Sequence, residues 1–186
     1  GQMGGLFTNV GFDVSTGGNG TVTLTGTGGD LAAGGNTGVQ FFQNGTGTVS
    51  VVNGDLTING TAGPGDSTGI SLRTQSATAL RSTGTGTIII NGTGSGTEAG
   101  FDHLDGTING PGGISINADT VNLASRTNTL VSAGGALTIK PLTTSATIGL
   151  GGGAGTLNID GTELLALADG FSSVTIGDTV SGTGTV

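Results

Sequence analysis

Val22-Thr23-Leu24-Thr25-Gly26-Thr27, Leu56-Thr57-Ile58-Asn59-Gly60-Thr61 and Ile88-Ile89-Ile90-Asn91-Gly92-Thr93 are three versions of one segment. Their central residues, 24, 58 and 90, lie 34 and 32 positions apart. A second landmark keeps the same step. Thr37-Gly38-Val39-Gln40-Phe41, Thr68-Gly69-Ile70-Ser71-Leu72 and Ala99-Gly100-Phe101-Asp102-His103-Leu104 have pivot glycines at 38, 69 and 100, spaced by 31 and 31. Gly5 in Gly4-Gly5-Leu6-Phe7 extends that series backwards by 33 residues. Two landmarks sharing one period define a repeat.

Each unit holds about three short runs in which apolar and polar residues alternate, broken by Gly and Asn. In the third unit these are Gly69–Leu72, Ala77–Ser82 and Thr87–Asn91. Alternation with β-branched residues reads as strand, and helical periodicity is absent from these units. Short strands recurring at this interval pack as a solenoid, each coil laying its strands about 4.8 Å from those of the last. The predicted fold is all-β, a right-handed parallel β-helix of about seven coils. Inward ladders should include Val39-Ile70-Phe101 and Leu24-Ile58-Ile90. The tails Gly28–Asn36, Thr61–Ser67 and Thr93–Glu98 should leave one corner as loops.

Beyond about Gly112 the pattern tightens. Ile116, Ile139 and Ile159 read as equivalent positions, with steps of 23 and 20. Residues 1–111 thus form long-coil glycine/threonine repeats, and residues 112–186 a shorter-coil continuation of one solenoid. Asp160–Phe171 departs from the pattern, with good helix formers between a capping residue and a glycine, which predicts one short helix near 162–168 covering an edge or corner. Gly182–Val186 reads as the opening of another strand, so the chain is expected to be a segment of something longer.

The composition narrows the function. The 186 residues include 42 glycines and 33 threonines, 75 positions in all, where average glycine usage is about 7%. Cys, Trp and Tyr are absent, so thiol chemistry and disulfides are excluded. Four basic against twelve acidic residues, net −8, speak against nucleic acid. No apolar run approaches the ~20 residues of a membrane helix. A hydrophobic content of 33% opposes disorder.

Candidate chemistry is sparse. His103, in Phe101-Asp102-His103-Leu104-Asp105-Gly106, is the only histidine. One histidine cannot build a usual zinc site, and Asp102 and Asp105 do not have the spacing of a calcium loop, so His103 is expected in an exposed turn. The acids Asp13, Asp30, Asp55, Asp66, Glu98, Asp160 and Glu163 are scattered through turns, and Arg73 and Arg81 find no carboxylate at matching positions in neighbouring units. Gly149–Gly155 lacks the Lys-Ser/Thr of a phosphate loop. These readings predict no catalytic residues, no metal, no cofactor and no enzyme. Asn19, Asn44, Asn59 and Asn91 each begin an Asn-Gly-Thr triplet, read as turn chemistry in preference to glycosylation. Threonine runs at 21–25, 46–50 and 83–87 leave ice binding as an alternative, and a polysaccharide-active or carbohydrate-binding β-helix as a second.

Gly113-Ile114-Ser115-Ile116-Asn117-Ala118-Asp119-Thr120-Val121-Asn122-Leu123 and Gly134-Gly135-Ala136-Leu137-Thr138-Ile139 resemble coils of filamentous-haemagglutinin-like bacterial exoproteins, and the units over 5–98 are similar to glycine-threonine repeats of long bacterial surface proteins. The resemblance implies an extracellular or cell-surface location and a structural, adhesive, biofilm or filament role. Expected partners are further copies through end-to-end self-association, or more of the same chain, together with surface or carbohydrate ligands.

Overall fold

A computed structural model describes residues 5–8, 12–30, 34–41, 47–74, 79–123, 126–178 and 180–183. Asn44 and Thr46, part of the first tail (31–33), residues 77–78 of the third unit and the last three residues lie outside that set.

All the described strands but two fall into three parallel sheets, which the first fifteen strands visit in turn; the other two, Ile148–Leu150 and Leu157–Ile159, pair with each other as a fourth, two-stranded sheet. The first sheet stacks β1 (Leu6–Thr8), β4 (Val39–Phe41), β7 (Ile70–Arg73), β10 (Phe101–Asp105) and β13 (Val121–Asn122). The second stacks β2 (Val14–Ser15), β5 (Val49–Val51), β8 (Leu80–Ser82), β11 (Ile108–Asn109) and β14 (Leu130–Val131). The third is the longest, with β3 (Val22–Thr27), β6 (Leu56–Thr61), β9 (Ile88–Thr93), β12 (Ile114–Asn117), β15 (Leu137–Lys140) and β18 (Val174–Ile176). One strand per sheet per coil, all parallel and in register, is a parallel β-helix. Its core is a set of ladders. Val39 pairs with Ile70 and Ile70 with Phe101. Leu24, Ile58, Ile90, Ile116, Ile139 and Ile176 form another unbroken column. Burying each such aliphatic side chain contributes roughly 1.5–3 kcal/mol before chain entropy is set against it.

The pivot glycines have a packing reason. Where the third sheet turns into the first, Gly26, Gly60 and Gly92 face the carbonyls of Gly38, Gly69 and Gly100, and a Cβ on any of the three would collide with them. Asn59-Gly60 and Asn91-Gly92 are therefore strand interior, not turns. Strands β6 and β9 run through Thr61 and Thr93.

The tails share one corner, as their spacing predicts, and they are bonded to each other. Gly28 donates its N–H to Thr61 O at 2.8 Å, Ala62 to Thr93 O at 2.8 Å, and Ser67 and Ser95 exchange backbone hydrogen bonds at 3.1 and 2.9 Å.

The last coil departs from simple winding. Ile139 pairs with Ile176, not with Ile159, which sits in β17 (Leu157–Ile159). This strand contacts β13 and pairs in parallel with β16 (Ile148–Leu150). The chain thus lays β16 outermost and then fills the layer beneath it. The predicted helix is a single 3-10 turn, Glu163–Ala166, followed by Leu167, which bridges to Leu130 of β14. Asp160 Oδ1 accepts from the N–H groups of Thr162 and Glu163, while Glu163 Oε2 accepts from Asp160 N–H. These reciprocal bonds fix the start of the turn.

Candidate functional site

Alternation along β10 decides its side chains. Phe101 points inward, Asp102 outward and His103 inward. His103 is 2% exposed, pairs across to Leu72 and stacks on Phe101 with ring centroids 5.9 Å apart. This overturns the exposed-turn reading. Nε2 lies 2.7 Å from Gly106 O, which makes Nε2 the protonated nitrogen, and Nδ1 has no partner. Burial pushes the imidazole pKa down, against the opposing pull of the Gly106 carbonyl and of Asp105.

Asp102 lies on the outer face in register with Ser71 and Asn122. Arg73 reaches across from β7. Its Nε donates to Ser71 Oγ at 2.8 Å, and its guanidinium pairs with Asp102 at 3.3 Å. Asn122 donates to Asp102 at 2.9 Å. Burial raises the Asp102 pKa; Arg73 opposes that, Glu98 adds to it, and the Asn122 hydrogen bond lowers it. Arg73 is also in register with Asp105, which pairs with Arg126 at 3.2 Å. The expectation that Arg73 has no carboxylate at matching positions is therefore wrong. The irregular register between His103 and Asp105 displaces the acid by one residue and hid the match.

The acids scattered through turns clamp one coil to the next. Asp13 Oδ1 accepts from Thr48 N–H at 2.8 Å, Asp55 from Thr87 at 2.9 Å, Asp66 from Thr97 at 3.0 Å and Asp119 from Thr143 at 2.7 Å. Each carboxylate takes a backbone donor that lies outside the strand ladders.

The outer face of the third sheet carries two further columns. Thr23, Thr57, Ile89, Ser115, Thr138 and Thr175 form one. Thr25, Asn59, Asn91, Asn117 and Lys140 form the other. In the second, the amides bond head to tail. Asn117 Nδ2 donates to Asn91 Oδ1 at 2.7 Å, Asn91 to Asn59 at 2.8 Å, and Asn59 to Thr25 Oγ1 at 3.4 Å. All three dipoles point the same way, so each polarises the next. Asn59 and Asn91 are half-buried in this row. Residues 83–87, by contrast, span a turn and the approach to β9, so that threonine run offers no strand face.

At the acceptor end of the row lies an open hollow of about 440 Å³, lined by Asn91, Ser115, Asn117, Lys140, Leu142 and Ser181 among others. Asp178 closes one side. Its carboxylate accepts from Ser181 Oγ–H above all, and from the N–H groups of Val180 and Ser181, which hold its pKa down at about 2. Lys140 Nζ stands 3.9 Å from it. A smaller hollow of about 170 Å³, lined by Gly92, Glu98 and Asp119, shares Leu142.

Among the described residues no group of three or more His, Asp or Glu is placed to hold a metal ion, and no helix is long and apolar enough to cross a membrane. No family model, curated protein or solved structure matches this chain.

Proposed function

We propose that this chain is a stiff structural and adhesive segment of an extracellular bacterial surface protein or fibre. The observation that carries the reading is the unbroken register of six parallel strands in the third sheet, with apolar ladders inside and hydrogen-bonded side-chain columns outside. Such a body resists bending, and it repeats its surface chemistry coil by coil. Self-association through the ends, or continuation along a longer chain, belongs to the same reading. The large apolar residues that are exposed among those described, Leu142, Leu150, Leu164, Leu165, Val174 and Val180, all fall in the last part of the chain. Contact there should strengthen with salt, because net charge −8 opposes association and is screened over about 8 Å at physiological ionic strength.

The test has two parts: electron microscopy of the purified chain, and retention of chain-coated beads on bacterial and abiotic surfaces. Rods that hold beads support the reading. Globules that release reducing ends from a polysaccharide would replace it with the enzymatic one. Ice binding remains a second reading, favoured by the hydroxyl column Thr23-Thr57-Ser115-Thr138-Thr175, which only Ile89 interrupts; thermal hysteresis measures it directly.

A further inference from the structure

We propose that the hollow at the end of the amide row binds a neutral, hydroxyl-rich saccharide chain. This rests on the adhesive reading and names the ligand class that reading leaves open.

The lining supplies the paired donors and acceptors that a sugar hydroxyl needs. A carboxamide has two N–H donors and two acceptor lone pairs on its oxygen. The row takes one of each from Asn91. At Asn117 it takes one N–H, and Ser115 Oγ donates to its oxygen at 3.3 Å. Each amide therefore keeps one donor and one acceptor. A sugar hydroxyl both donates and accepts, so it satisfies such a pair where a carboxylate or an ammonium group satisfies only half.

Spacing and rigidity favour a chain over a single ring. Asn91 and Asn117, the two amides that line the hollow, sit one strand apart, about 4.8 Å, and so offer two such contacts along one direction. The amides are held by their neighbours before any ligand arrives, which lowers the ordering cost of binding. Leu142, 44% exposed at the rim, offers an apolar patch for the C–H face of a sugar ring.

Charge selects the neutral class. Lys140 and Asp178, both in the lining, pair with each other at 3.9 Å and offset one another. The chain as a whole carries net −8, which repels polyanions. An extended peptide adding by strand pairing needs a free backbone edge, and this hollow lies on a sheet face.

The experiment titrates the ¹⁵N-labelled chain with cellohexaose, maltohexaose and an oligogalacturonate, and follows the side-chain amide signals of Asn91 and Asn117. At least one neutral hexasaccharide should shift both signals at concentrations up to about 10 mM, within the range of millimolar affinity. Leu142→Asp, at an exposed position, should weaken that binding by about tenfold or more with an unchanged melting temperature. No shift with either neutral sugar, equal binding by Leu142→Asp, or tighter binding of the oligogalacturonate overturns the proposal. Bead retention separates the two ideas. Retention without saccharide binding refutes the site and leaves the adhesive reading standing, whereas saccharide binding without retention does the reverse.

Discussion

Removing the middle of the amide row tests how much the outer columns contribute to the fold. Asn91→Ala deletes the bond donated to Asn59 and the bond accepted from Asn117. Each hydrogen bond is worth about 0.5–1.5 kcal/mol net, so the expected loss is about 1–3 kcal/mol. Asn117 is 8% exposed but lines the open hollow, so water replaces part of what it loses and the middle of that range is expected. For a chain of this size the full range corresponds to a fall of about 2–12 °C in melting temperature. Asn91→Asp is the sharper variant. It keeps the shape and still accepts from Asn117, but it can no longer donate, and it sets a carboxylate against Asn59 Oδ1, 2.8 Å from the present amide nitrogen. It should cost at least as much as Ala at pH 7. The repulsion raises the folded pKa of the new acid above its unfolded value of about 3.9. The protonated form is then the one the fold favours, so the deficit shrinks as pH falls through that raised pKa and grows as pH rises. Urea denaturation followed by circular dichroism, read as a midpoint shift at constant slope, measures both variants. If both lie within about 0.3 kcal/mol of the parent, or if the Asp deficit is flat from pH 8 to pH 4, the row contributes nothing and the reasoning fails.

Gly69→Ala places a Cβ 2.6 Å from Gly100 O and 2.7 Å from Thr93 N and O. All three are backbone atoms that cannot step aside, so a loss of about 1–3 kcal/mol is expected in thermal melts; parent-like stability would show that the corner has slack. His103 has a lowered folded pKa, so its contribution is complete above the unfolded value near 6.5 and is lost as pH falls towards the folded one, by up to about 1.4 kcal/mol per pH unit. Melting temperatures between pH 7.5 and 5 should fall for the parent and flatten for His103→Leu; an unchanged slope in the variant assigns the effect elsewhere. Asp102, raised by burial, has the opposite sign, losing stability as pH rises through its raised pKa. Asp55→Ala should cost about 1 kcal/mol and speed hydrogen exchange at Thr87 N–H, with Asp55→Asn in between; unchanged exchange would remove the clamp.

The inward ladders were readable because a column tolerates one class of residue at one phase, which is why Leu24, Ile58 and Ile90 align in sequence and in space. His103 was misread because a lone histidine between two acids suggests a wet turn. Yet the alternation from Phe101 already turned it inward, and its pairing with Leu72 confirms that direction. Asn59-Gly60 and Asn91-Gly92 carry turn chemistry, and only the approach of the next sheet reveals what their glycines are for. The clamps do carry a sequence signal: Asp55 and Asp66 precede their threonines by 32 and 31 residues, the step of the repeat itself. Ile159 failed as a ladder position because the detour through β16 lengthens the last coil, and composition carries no trace of that detour.

Placing Asn-Gly pairs inside strands has a consequence for chemical ageing. Asn-Gly is the dipeptide most prone to deamidation, in which the glycine nitrogen attacks the side-chain carbonyl carbon, ammonia leaves, and the cyclic imide hydrolyses to aspartate or isoaspartate. That ring closure needs the backbone to pivot. At Asn59 and Asn91 the strand holds the backbone extended, and the neighbouring amides hold the side chain. Asn19-Gly20 occupies an exposed turn with neither restraint. Prolonged incubation followed by peptide mass spectrometry should find the mass gain of deamidation at Asn19 well before Asn59 or Asn91. The same row that stiffens the sheet thus protects its own amides from slow conversion to acids, on a time scale far longer than folding.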